Sequence, residues 1–351
     1  MKIAFYLNVL SPHQLPLARE VAKIVGAENF KYVYAEDFLA DRKTMGWDDG
    51  DVPAWCVKGD EDAPELVDAD LVYTGIRCVG LMAKRSAMGK LTAYYSERWF
   101  KPIAVMGCLL PGWLRLLSPR YRKMARQMVQ LLNNPTMRYL PCGPWAAKDI
   151  MKIGLRNEQI LPWGYFVAPG RFPQGRRITG GRLRVLWVGR FLDWKRVDTI
   201  IESVGKCFNH KDISLDIYGI GPEEMCLKNM ALECGRIITI RPSVPIEDVR
   251  ELMIAHDVYV LASNEYEGWG AVVNEALEEG MYVIGTKESG AGAAILPEDA
   301  KFSCGDWKRL SQLLKSCAEK KKRGVLKGQG IGEWSAENAA RRLINLFEQR
   351  K

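Results

Sequence analysis

The chain has 351 residues, of which 48% are hydrophobic and 26% charged, and its formal net charge is +8. That length exceeds one ordinary compact domain and suits two of roughly 150 residues each. The balance is that of a globular protein, with no low-complexity segment and no repeat of solenoid length. Nine scattered cysteines without a C-x-x-C pair, and only three histidines, argue against a disulfide scaffold or a zinc site and fit a reducing compartment.

The opening MKIAFYLNVL carries a short apolar run, Ile3 to Leu10, that reads as a buried first strand and not a signal peptide. A helix over 13–25 follows. Residues 36–70 then hold 3 basic and 12 acidic residues, a net of −9. They include D-x-D patterns at Asp49/Asp51, Asp60/Asp62 and Asp68/Asp70. ADLVYTG, KLTAYYS and MRYLP read as further buried strands, with a helix over 76–88 between the first two. Residues 84–156 carry 14 basic residues against Glu97 and Asp149, a net of +12. Such a field attracts anions: phospholipid head groups, a phosphate-bearing acceptor or nucleic acid. A solvated basic face is the plainer explanation.

Within that stretch a helix over 119–132 is predicted, capped by Ser118 and opened by Pro119. Tyr121, Met124, Ala125, Met128, Leu131 and Leu132 mark its apolar face. Arg120, Arg122, Lys123 and Arg126 mark a basic one. With GCLLPGWLRLL (107–117) before it, this element either lies on an anionic membrane surface or packs into a core with its basic side outward.

VAPGRFPQGRRITGG (167–181) lacks apolar periodicity and reads as a linker. The β–α alternation restarts at RLRVLWVGR and continues through SLDIYG, RIITI, DVYVLAS and MYVIG. Two such series predict an α/β protein of two Rossmann-like domains with parallel sheets. The expected boundaries are 1–166, the linker 167–181, 182–334, and a last helix from Ser335 through 351. No apolar run reaches the roughly 20 residues that cross a bilayer.

Three stretches carry chemistry. In EYEGWGAVVNEALEEG (265–280), Glu267 and Glu275 are eight residues apart, and Gly268-Trp269-Gly270 is expected to open a helix. Free N–H groups at a helix start attract phosphate, and glycine lets a ligand come close. Two carboxylates there can accept hydrogen bonds from hydroxyls of a sugar ring and a ribose. In VGRFLDWKRVD (188–198), Arg190 and Lys195 follow a strand's carboxyl end and suit a diphosphate. DIYGIGPEE (216–224) turns tightly through Gly219 and Gly221 but lacks the third glycine of a dinucleotide fingerprint.

Together the three resemble the donor half of the retaining glycosyltransferases of family 4 (group 1), closely over residues 183–290 and only in architecture before that. The resemblance implies the GT-B fold, two Rossmann-like domains facing across a cleft. It implies a nucleotide-sugar donor, UDP favoured, and a saccharide or lipid-linked acceptor in surface glycan assembly. Arg190, Lys195 and Glu267 would be catalytic, the first two on the diphosphate and the third on the donor sugar. Glu275 would bind the ribose, and Gly268, Trp269 and Gly270 would line sugar and phosphate. Gly221 falls in the donor set, and Val244 of IRPSVP falls where the family cradles the base. The last helix would return to the N-terminal domain.

No cofactor and no metal are expected: the D-x-D patterns lie away from the donor motifs, and preplaced cations and amides take a metal's place. At the front the chain departs from the family. LNVLSPHQLPLARE lacks the Gly-Gly loop, leaving His13. LTAYYS leads into Ser96-Glu97-Arg98 where members carry a histidine. His13, Glu97 and Arg98 are the acceptor-side candidates; a capped helix start and a Glu97–Arg98 ion pair are the structural alternatives. A cytoplasmic protein, peripheral on the inner face of the membrane through 107–132, is expected, and no nucleic-acid partner, since no reader motif is present. The competing functions are a nucleotide-sugar epimerase or a non-catalytic nucleotide-sugar or membrane-surface binding protein of the same fold.

Overall fold

A computed structural model describes residues 1–37, 52–105 and 108–348. The chain divides into two compact units: Met1–Val167 with the segment from Ser335 onward, and Ala168–Trp334.

The first unit is built on a six-stranded parallel sheet. Its strands are β1 (Ile3–Leu7), β2 (Phe30–Tyr34), β3 (Cys56–Lys58), β4 (Leu71–Thr74), β5 (Leu91–Ser96) and, after the antiparallel hairpin β6 (Ile103–Val105) and β7 (Cys108–Leu110), β8 (Met137–Pro141). Their order is β3-β2-β1-β4-β5-β8. Every residue of IAFYL in β1 is buried, as a central strand covered on both faces requires. FKYVY and CVK, not expected as strands, extend the sheet beyond β1.

The second unit repeats the plan. After the short β9 (Arg177–Ile178) come β10 (Leu183–Arg190), β11 (Ile213–Ile220), β12 (Ile238–Arg241), β13 (Val258–Leu261), β14 (Tyr282–Thr286) and β15 (Lys301–Phe302); β16 (Leu326–Lys327) pairs antiparallel with β9. The main sheet runs β12-β11-β10-β13-β14-β15 and is parallel throughout. In both sheets the first strand sits centrally, two successors add on one side, and the fourth adds on the other. The reversal between β10 and β13 leaves a crevice at their carboxyl ends, where α/β sheets bind ligands.

The helices that matter below are α1 (Leu15–Val25), α2 (Pro119–Leu132), α3 (Pro144–Met151), α4 (Ile246–Ala255), α5 (Val272–Glu278), α6 (Trp307–Lys322) and α7 (Ala336–Glu348). Ser335 caps α7, accepting from Asn338 N at 3.2 Å, and α7, in which Ala339, Ala340 and Leu343 are buried, packs on α1. Ser118 caps α2 as expected, its Oγ accepting from Tyr121 N at 3.5 Å. The apolar side of α2, Ala125, Met128, Val129 and Leu132, is buried in the unit's core. Its basic side faces solvent. Any membrane contact therefore cannot use that apolar face.

The stretch read as a linker is bonded into the second unit. Gly170 N donates to Glu278 Oε2 at 2.9 Å and Phe172 N to Glu278 O at 3.0 Å. Arg250 reaches back to the carbonyls of Ala168 and Pro169, and Arg176 to those of Met253 and Ile254. Glycine and proline removed the periodicity that would mark this as structure. The partners supply it from 77 to 108 residues away in sequence.

A buried charge knot ties the amino ends of β10 and β13 to α6. Asp257 accepts from Arg184 N at 2.8 Å, Arg184 Nη2 at 3.1 Å and Lys321 Nζ at 2.5 Å. Lys321 also donates to Arg182 O at 2.8 Å.

Candidate functional site

The loops after β10 and β13 meet in the crevice between those strands. After β10 the chain runs Phe191–Leu192, makes one tight turn over Asp193–Lys195, and passes through Arg196 at φ 49°. After β13, Asn264 organises the turn: its side chain accepts from Tyr266 N at 2.9 Å and its carbonyl from Glu267 N at 3.0 Å. Asn264 N in turn donates to Trp194 O at 2.9 Å, joining the two loops.

This join places Lys195 against Glu267, whose Oε2 accepts from both Lys195 Nζ and, at 2.9 Å, Ser263 Oγ. Both charged side chains are largely buried. Thr286 Oγ1 holds the Ser263 carbonyl at 2.5 Å, anchoring that donor to β14. Ser263, the last residue of DVYVLAS, had been read only as strand.

Glu275 lies in α5. Its carboxylate makes no hydrogen bond within the described residues, and desolvation pushes its pKa up, opposed by the charge of Arg250. Acidification therefore neutralises it at a higher pH than an ordinary glutamate. The charges of both acidic residues reach the phenol of Tyr259 on β13. Burial raises its hydroxyl pKa most, and the charges of Glu267 and Glu275 then raise it further. Both carboxylates thus act on one phenol, itself bonded to Val188 O at 3.3 Å.

The expected helix start at Gly268 is corrected: α5 begins at Val272. Gly270 has φ 93°, a left-handed conformation that interrupts a helix, and a Cβ there would lie 2.9 Å from Leu261 Cδ2. The outcome is a longer row of free donors. Among the described residues no acceptor meets the N–H of Gly268, Trp269, Gly270, Ala271 or Val272. The Trp269 indole is a core anchor, buried and bonded to Asn274 Oδ1 at 2.8 Å. The Tyr266 hydroxyl beside this loop is buried and has no protein partner.

The other donor-side candidates spread along the strand ends. Arg190 is the last residue of β10, exposed, and its side chain has no bonded partner among the described residues. Gly221 follows β11 at φ 154°, and a Cβ there would meet Phe191 O at 2.4 Å. Its absent side chain lets the β11 turn pack on the loop that carries Lys195. Val244 lies beyond β12 at the sheet edge, half-buried, with no bonded link to the other candidates.

In the first unit, the acceptor-side candidates connect differently from expectation. The α1 N-cap is Gln14, not His13, and no side chain caps it. His13 stacks on Tyr165, with centroids 5.7 Å apart. The Tyr165 hydroxyl donates to Glu97 Oε1 at 2.8 Å, and Glu97 Oε2 pairs with Lys101. Arg98 turns away from Glu97 and forks onto Asp149 at 3.2 and 3.3 Å. His13 and Glu97 are therefore joined through Tyr165, while Arg98 braces α3. The pairing partners are 51 and 68 residues distant, beyond what local spacing reveals.

Among the described residues no three His, Cys, Asp or Glu side chains converge as a cation site. Asp49 and Asp51 lie outside the described residues, as do Gly107 and 349–351.

Residues 171–327 match the family of glycosyl transferases group 1. The N-acetyl-alpha-D-glucosaminyl L-malate synthase of Bacillus anthracis is 28% identical over 124 residues, 34% of this chain and 31% of that protein. The chain thus matches about a third of that curated relative's length. Over 100% of the chain and 98% of its own, the crystal structure of Anabaena Alr3699/HepE in complex with UDP superposes with a TM-score of 0.62 at 16% identity. The apo lipopolysaccharide outer core galactosyltransferase WaaB gives 0.66 at 12% identity, covering 100% of both chains. At these identities the likeness establishes the fold, which is GT-B: two Rossmann-like units with parallel six-stranded sheets.

Proposed function

We propose, on the premise that residues 171–327 match the glycosyl transferases group 1 family, that this chain is a retaining glycosyltransferase. It moves a sugar from a nucleoside-diphosphate donor, UDP favoured, to a saccharide or lipid-linked acceptor in surface glycan assembly. The observation that carries this reading is the crevice at β10 and β13. The loops after those strands pair Lys195 with Glu267, and the segment that follows carries, without hydrogen-bond partners among the described residues, the Glu275 carboxylate and the N–H groups of 268–272. The UDP bound to Anabaena Alr3699/HepE and the galactosyl transfer in the name of WaaB support the choice of donor and of glycan class.

In this account Glu275 accepts from the ribose hydroxyls and Glu267 from those of the donor sugar. Arg190, Lys195 and the amides of 268–272 face the diphosphate. As the glycosidic bond breaks, negative charge grows on the leaving phosphate, and fixed donors aimed at it supply the main catalytic stabilisation. Lys195 has three protons, so it holds Glu267 and a phosphate oxygen at once. No resident metal is invoked, and the departing phosphate itself takes the acceptor's proton. The test is thermal stabilisation by a panel of UDP-, GDP- and ADP-sugars. UDP-sugars are expected to give the largest shift; no shift from any of the three would overturn the proposal.

We place the protein in the cytoplasm, on the inner face of the membrane. No helix among the described residues is long and apolar enough to cross a bilayer. Leu110, Trp113 and Leu117 are 40, 51 and 70% exposed, next to the basic side of α2 with Arg120, Arg122, Lys123 and Arg126. Apolar insertion beside cations is the pattern of attachment to anionic lipid. Trp113→Ser with Leu117→Ser is expected to abolish co-sedimentation with phosphatidylglycerol vesicles; unchanged co-sedimentation would refute the attachment.

A further inference from the structure

The first unit contains a cavity of about 330 Å³ beyond the carboxyl ends of β4 and β5. Its wall is formed by Arg77 after β4, Tyr94 and Ser96 at the end of β5, the residues Glu97–Trp99 and Lys101 that follow, Arg115, and Tyr121 in the first turn of α2. The floor is rigid. Tyr94 is buried, Trp99 Nε1 donates to Ser96 Oγ at 3.0 Å, and the Tyr121 hydroxyl donates to Trp99 O at 2.8 Å.

Four cations line this space: Arg77, Arg98, Lys101 and Arg115. Two are already neutralised, Arg98 by Asp149 and Lys101 by Glu97. Arg77 and Arg115 meet no carboxylate among the described residues; Arg77 touches only the Met124 thioether, a weak acceptor. Both guanidinium groups act on the same Tyr121 hydroxyl, whose pKa they lower against a larger rise from burial. Arg77, Arg115 and Tyr121 all line the cavity. Two unpaired guanidinium forks over a hydroxyl-lined floor match the oxygens of a tetrahedral anion.

We infer that this cavity is an anion subsite in which Arg77 and Arg115 clamp a phosphoryl group carried by the acceptor. The inference rests on the reading that the first unit serves the acceptor. It narrows the acceptor class from saccharides in general to phosphorylated ones, soluble or lipid-borne. The volume accommodates a phosphoryl group with an adjoining polyol and not a whole glycan.

The test titrates sn-glycerol 3-phosphate into the full chain with UDP at saturation, so that the second unit's anion site is occupied. Arg77→Gln with Arg115→Gln is expected to weaken binding at least tenfold, and glycerol itself is expected not to bind. The control Lys228→Gln with Lys322→Gln removes the same charge from exposed sites of the second unit and is expected to leave binding unchanged. Equal affinity in the Arg77/Arg115 variant, or an equal loss in the control, would overturn the clamp. Both arginines are exposed, and an unchanged melting temperature of the variant confirms that its fold is intact. The source of the anion is read from vesicles: loss of phosphatidylglycerol binding in the Arg77/Arg115 variant assigns a lipid headgroup, and retained vesicle binding assigns a soluble phosphomonoester. If UDP itself fails to bind while the clamp responds as expected, the glycosyltransferase reading falls and the anion cavity stands.

Discussion

Lys195→Ala is expected to lower kcat for UDP release from a UDP-sugar by about 10²–10³-fold, the usual effect of removing one preorganised donor from a developing oxyanion. Three features set this size. Lys195 is largely buried, so its charge is not screened by bulk water. Its position is fixed by Glu267, whose same carboxylate oxygen Ser263 also holds. Its loop is held by the Asn264–Trp194 backbone bond and by the Gly221 turn packed on Phe191. Arg190 is exposed and unrestrained, so its removal is expected to cost less. Because the interaction strengthens in the transition state, the loss should fall on kcat more than on KM. A reduction below about threefold would remove Lys195 from the catalytic account.

Asp257→Ala is expected to destabilise the second unit by about 3–5 kcal/mol, since it strands a buried lysine without its counter-ion. Lys321 and Asp257 are 2 and 3% exposed. After the substitution, Lys321 keeps only the Arg182 carbonyl, and Arg184 N loses its acceptor. The damage spreads because Asp257 also bonds through its backbone to Arg184 and Tyr282, linking β10, β13 and β14 at one level. The expected fall in melting temperature is about 10 °C. Asp257→Asn should cost less, because an amide oxygen still accepts from Arg184 N. A fall of less than about 2 °C for the alanine variant would show that the knot is replaced by water and contributes little.

The main strands of the second sheet were legible because the leading ones are long and apolar: LRVLWVG and ISLDIYG carry buried residues along most of their length. FKYVY and KF escaped notice since they are short and lie between charged or turn residues. The convergence of Lys195 with Glu267 followed from the strand-end rule, but Ser263, which bonds Glu267, and Tyr259, whose phenol the charges of Glu267 and Glu275 reach, looked like ordinary strand residues. The helix start was misplaced because glycine spacing does not report φ, and Gly270 adopts the left-handed value that delays α5. On the acceptor side, Glu97 and Arg98 are neighbours in sequence yet take Tyr165, Lys101 and Asp149 as partners. The chain bends at Glu97 directly after β5, and the alternative of a Glu97–Arg98 ion pair is the one the structure does not form.

The central claim is that the carboxyl ends of β10 and β13 hold a nucleoside diphosphate. It is tested most directly by calorimetric titration of UDP into the wild-type chain, the Lys195→Ala variant and the Lys228→Gln control. One site per chain is expected in the wild type, with affinity unchanged in the control and about tenfold weaker in Lys195→Ala, the loss of one charge-assisted hydrogen bond. Saturable UDP binding of equal affinity in all three proteins, or no binding in any, would contradict it.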